Sequence, residues 1–145
     1  MSSIKVDTSD LSKFSAEMKT WKLKTMKGTS EAIKVSTLAV KRGAMQNLTA
    51  NGSVKTGQLR AAINTDIKEY EGEVKAATKY ALGVEKGTRP HIIRPKKGKF
   101  LFWKGAKHPV KQVNHPGGKA KPYLIPALEK ETPILLKRLE DLIKW

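Results

Sequence analysis

The sequence predicts an α+β domain: an antiparallel sheet of about four strands packed by N-terminal helices and a C-terminal helix. Apolar residues recur at helical spacing near both ends of the chain and alternate with polar ones in the middle. The chain has 145 residues, enough to bury one core. A single domain over 1–145 is therefore expected, with a helical part over 1–50, a sheet with a basic hairpin or loop over 51–122, and a C-terminal helix over 123–145.

Ser9 or Asp10 suits the N-cap of a first helix in which Leu11, Phe14, Met18 and Trp21 share one face. Gly28-Thr29-Ser30 predicts a kink, or a break with a fresh cap, before a second helix that runs to about Ala50. Val35, Leu38, Ala39 and Met45 line one side of that second helix, and Ile33, Val40 and Ala44 line nearly the opposite side. Two apolar stripes need two partners. One is expected to be the protein's own sheet, and the other a further part of the chain or a neighbouring subunit. Ile33, Val40 and Ala44 are thus the candidate subunit interface.

Asn51-Gly52-Ser53 is turn chemistry. Alternation from Ile63, then Glu71-Gly72 and Glu73–Ala77, predicts a hairpin. Tyr80–Glu85 reads as one or two helical turns stopped by Gly87. Ile92-Ile93, Phe100–Trp103, Val110 and Val113 are apolar positions separated by turn signals, and they predict a second hairpin with a long loop. Phe100 and Phe102 share one strand face there, and core packing is favoured for them over base stacking. The last helix opens near Pro122 or Pro126 with Leu124, Leu128, Leu135, Leu139 and Leu142 as its stripe, and Pro133 is expected to kink or restart it.

The chain carries 29 basic and 13 acidic residues, a net charge of +16. The excess is concentrated in residues 89–122, which hold ten basic residues and no acidic one. Arg89, Arg94, Lys96, Lys97, Lys99, Lys104, Lys107 and Lys111 are the candidate contacts to a polyanion or an acidic partner face. The absence of cysteine excludes disulfides, thiol nucleophiles and thiolate zinc sites. No apolar run approaches the roughly 20 residues that cross a bilayer, so no membrane partner is expected.

Catalytic patterns are missing too. His91, His108 and His115 are separated by seventeen and seven positions, a spacing that matches no helix-face or strand-face ligand set. Asp66, Glu69, Glu71 and Glu73 read as solvated hairpin faces, no serine sits in a strand–turn–helix elbow, and the glycines form no phosphate loop. Gly57, Gly87 and Gly117 are instead candidates for positive φ. Neither an enzyme nor a cofactor is expected.

Four stretches in order resemble a known family. They are Thr56-Gly57-Gln58-Leu59-Arg60-Ala61-Ala62-Ile63, Tyr80–Thr88 with its Tyr-Ala-x-x-Val-Glu-x-Gly-Thr pattern, Ile93–Phe102, and His115–Leu128 with Pro-Gly-x-x-Ala-x-Pro-Tyr-Leu-x-Pro-Ala-Leu. Together they are similar to the tail-component (tail completion, head–tail joining) proteins of long-tailed bacteriophages and prophages. Pro133 departs from that pattern. The resemblance implies a structural protein of the virion neck or upper tail, made in the host cytoplasm and assembled as a ring, hexameric by analogy. It also implies tail terminator, tail tube or head-connector proteins as neighbours and genomic DNA in the lumen. A nucleic-acid-binding protein without sequence preference, using the basic 89–122 segment, is the alternative.

Overall fold

The computed structural model describes residues 9–53, 57–96 and 98–144. Its elements run α1 (Ser9–Ala50), α2 (Gln58–Ala61), β1 (Ile63–Ile67), β2 (Gly72–Ala76), α3 (Ala81–Lys86), β3 (His91–Ile93), β4 (Val113–His115) and α4 (Leu124–Ile143). The mixed class expected from sequence holds, but the four-stranded sheet does not. β1 pairs with β2 and β3 with β4, in two separate antiparallel ladders.

α1 is one helix of 42 residues, about 63 Å long at 1.5 Å per residue. The break expected at Gly28 is absent because the glycine serves packing. A Cβ there would run into the Leu142 side chain of α4, and Thr29 Oγ1 donates to the Thr25 carbonyl within the helix. Fifteen residues further on, a Cβ on Gly43 would lie 3.1 Å from the Ala127 Cβ. Residues 28 and 43 therefore meet 142 and 127, which fixes α4 antiparallel to α1 with the backbones close. The roughly 1 kcal/mol helix penalty of a mid-helix glycine is offset by that approach.

The β1–β2 hairpin lies along the neighbouring face of α1. Ile63 is 1% exposed, Thr65, Ile67, Val74 and Ala76 are half-buried on the inward side, and Lys68–Glu71 turn the chain. Gly72 is needed because a side chain there would collide with Thr37 Oγ1. Val40, Ala44, Leu48, Leu59, Ile63, Ala81, Tyr123 and Ala127 form the core, so the α1 stripe of Val40 and Ala44 is covered by its own chain, while Val35 and Leu38 of the opposite stripe are 40% and 42% exposed.

α4 runs unbroken through Pro133. Pro133 and Glu129 are both exposed, so water can satisfy the carbonyl that the proline cannot. Phe100 and Phe102, expected in the core, are 52% and 68% exposed. The β3–β4 ladder stands off the body, so alternation along this stretch has no core to face.

Candidate functional site

Residues 88–118 form one long antiparallel excursion. Thr88 bridges Gly118, His91 pairs with His115, Ile93 with Val113, and Leu101 bridges Val110 near the tip. Its root is held by reciprocal Thr88–Gly118 backbone hydrogen bonds and by close backbone approach. Gly87 (φ 75°) would place a Cβ 2.6 Å from the Gly118 carbonyl oxygen, and Gly117 (φ 88°) would drive one into the Thr88 carbonyl. Both positions demand glycine twice over, for φ and for space. The positive φ expected at Gly57 is present as well, at 74°.

The root is joined to α4 by a single carboxylate. Glu85, buried at the end of α3, accepts hydrogen bonds from the backbone N–H groups of Tyr123 (2.9 Å), Leu124 (3.0 Å) and Ile125 (2.9 Å). Pro126 has no N–H to satisfy. One side chain thus accounts for the free donors at the start of α4 and sets a negative charge at the positive end of its dipole. Asn47 Nδ2 donates to the Tyr123 carbonyl and Asn51 Nδ2 to the Pro122 carbonyl, which tie the same junction to the end of α1. Burial raises the Tyr123 phenol above its ordinary value, with Glu85 and Tyr80 adding in the same direction. Nothing in the local sequence around Glu85 announces a cap, because donor and acceptor are 38 to 40 residues apart.

The excursion presents the charge. Arg89, Arg94, Lys96, Lys99, Lys104, Lys107 and Lys111 are all exposed on it, and Lys97 lies outside the described residues. Ile92, Phe100, Phe102 and Trp103 are exposed beside them. The arrangement suits an extended, negatively charged partner and fixes no particular sequence or group. His91 and His115, far apart in sequence, stack at 5.0 Å between ring centroids. His91 Nδ1 lies 2.9 Å from the Arg89 carbonyl oxygen, and the Gly117 N–H donates to His115 Nδ1 at 3.0 Å. Among the described residues no third metal-ligating side chain joins them.

The proposed subunit contacts need correction. Val40 and Ala44 are 6% and 0% exposed in the chain's own core, and Ile33 is half-buried against Gly72. Ala44 is sealed inside the chain, whereas Ile33 and Val40 line an open groove. That groove of about 530 Å³ lies open between α1, α4 and the β1–β2 hairpin, where Leu128 and Tyr70 are 55% and 48% exposed. Arg138 donates to two of its lining residues, Glu131 Oε1 and Ser36 Oγ, at 2.6 Å each. No helix among the described residues is long and apolar enough to cross a membrane. Compared with family models, curated proteins and solved structures, the chain matches none.

Proposed function

We propose that this chain is a structural subunit of a bacteriophage neck or upper tail, a ring-forming tail completion or head–tail joining protein. The observation that carries the reading is how the segments resembling that family depend on one another. The glutamate of Val84-Glu85-x-Gly87-Thr88 caps the helix opened by Pro122-Tyr123-Leu124-x-Pro126. Gly87 of the Tyr80–Thr88 motif and the Pro116-Gly117 of the last interleave backbone against backbone, and Leu59 and Ile63 of Gly57–Ile63 lie in the core beside Ala81 and Tyr123. Motifs that must co-occur to build one junction support a shared fold better than any motif alone.

On this reading, the basic excursion faces a polyanion or the acidic surface of an adjacent ring, and neighbours pack side by side in a head-to-tail contact that closes by rotation. The second reading, a nucleic-acid-binding protein without sequence preference, is favoured by seven exposed basic residues standing beside exposed aromatics. Light scattering on the full chain, with and without duplex DNA, separates the two. A closed oligomer without DNA is expected for the subunit, whereas a monomer that gains mass only on DNA overturns it. Reversing Lys96, Lys97, Lys99 and Lys104 to glutamate in the phage that carries the chain is expected to lower infectious particle counts; unchanged head–tail joining would remove the role assigned to the excursion.

A further inference from the structure

The excursion carries its charge and its aromatics in different places. Arg89 stands at the root, Arg94, Lys99 and Lys111 along the length, and Lys104 and Lys107 at the tip, all of them exposed. Among the described residues none of the six is in an ion pair, and residues 89–122 contain no carboxylate. The aromatics gather at one end. Phe102 is 68% and Trp103 49% exposed just beyond the Leu101–Val110 bridge. That end is held in shape. Leu101 and Val110 exchange two backbone hydrogen bonds, and the Ala106 N–H closes a turn onto the Trp103 carbonyl with Gly105 at φ 100°. Two large apolar side chains therefore project from an ordered turn into water, with no core behind them.

We infer that the excursion binds duplex DNA, laying its basic side chains along the phosphates and inserting Phe102, backed by Trp103, between two base pairs. Placement selects this partner. From Gly118 to Val110 the return strand spans at most about 26 Å, roughly eight base pairs of duplex. Charge along that whole length suits a partner extended beside it, whereas an anionic lipid surface would engage only the tip. A single strand calls for aromatics spaced along the track so that successive bases stack, and here they sit together at one end. An exposed apolar side chain at the end of a basic arm is instead a wedge, which enters a base step from the minor groove and kinks the duplex by about 20–90°. The inference rests on the polyanion reading of the excursion, names the polyanion, and holds whether or not the chain forms a ring.

The test uses the full chain and a duplex of about 30 base pairs carrying a fluorescence donor and acceptor at its ends. The parent chain is expected to bind with an affinity that falls about 500-fold between 0.05 and 0.2 M salt, the slope of about five phosphate contacts, and to raise energy transfer as the ends approach. F102A/W103A, which changes only exposed side chains, is expected to keep that salt slope and lose affinity no more than about tenfold, while the rise in energy transfer disappears. K104A/K107A/K111A is expected to cut the salt slope by about three and still bend the duplex at saturation. A parent complex without a rise in energy transfer, or an F102A/W103A complex that bends the duplex equally, overturns the wedge and leaves the polyanion contact standing. Tighter binding to a single strand of the same length, or to vesicles of phosphatidylserine and phosphatidylcholine, overturns the choice of duplex. A chain that binds neither nucleic acid nor vesicles at 0.05 M salt removes the polyanion reading itself and leaves only the acidic face of a neighbouring subunit.

Discussion

Replacing Glu85 tests the junction directly. In Glu85→Ala, three backbone donors at the start of α4 lose their acceptor where Tyr123 is 2% exposed and water cannot enter freely. Hydrogen bonds to a charged group contribute about 1.5–3 kcal/mol each, and they overlap here because one carboxylate makes all three. The dipole interaction adds about 1–2 kcal/mol for a buried charge. A total loss of about 4 kcal/mol is reasonable, a large part of the 5–15 kcal/mol that holds a domain together. Glu85→Gln is the sharper variant, since it keeps size and one acceptor oxygen but turns an N–H₂ toward an N–H, for a loss of about 2 kcal/mol. Urea unfolding followed by circular dichroism reads both. If Glu85→Gln unfolds within 0.5 kcal/mol of the parent, the cap is not what holds α4 to α3, and the argument linking the motifs falls with it.

Three further outcomes follow from the same geometry. Gly87→Ala and Gly117→Ala should each cost about 2 kcal/mol or more in urea midpoints, while Gly105→Ala, also at positive φ but with nothing near its Cβ, should cost clearly less. Gly28→Ala should bring no gain in thermal unfolding despite alanine's better helix propensity, yet stabilise a Leu142→Ala background; additivity of the two changes would remove the packing role of Gly28. Above pH 10, the unfolded chain ionises its tyrosine before the folded chain releases the raised Tyr123 proton. The stability from that burial is therefore complete below about pH 10 and is lost as pH rises through the native value, and Tyr123→Phe should lose less than the parent in alkaline urea titrations.

The sequence carried the local devices and missed the tertiary ones. The β1–β2 alternation, the α3 turn ended by Gly87, and the glycines at positive φ were readable because each is decided within a few residues. Gly28 was misread because a local rule, that glycine weakens a helix, competes with a contact 114 residues away that no periodicity reveals. Phe100 and Phe102 were misread because alternation tells which residues share a face and not whether a core lies behind it. Val40 and Ala44 were assigned to a neighbour because two stripes need two partners, yet it is their stripe that the chain's own core covers, while Val35 and Leu38 of the other stay exposed. The basic surface was legible from counting alone. The Glu85 cap, the groove and the stacking of His91 on His115 arise only when distant segments meet.

Net charge decides how assembly must depend on salt. Two copies at +16, with centres about 30 Å apart in water, repel by about 35 kcal/mol before screening. At 0.01 M salt, where the screening length is about 30 Å, about 13 kcal/mol of that survives, and at 0.15 M, with a length of about 8 Å, about 1 kcal/mol. A subunit contact of about 1,000 Å², the lower end for a specific interface, with a few exposed ion pairs cannot overcome the first figure and can overcome the second. Self-association should therefore strengthen as salt rises from 0.01 to 0.15 M, although the local charge pairs weaken. Phosphate binding runs the other way, with affinity falling steeply as counterions compete. Sedimentation velocity at both salt concentrations, with and without DNA, gives opposite trends for the two readings. A chain that associates better at low salt without DNA would mean that its charge is not what opposes assembly.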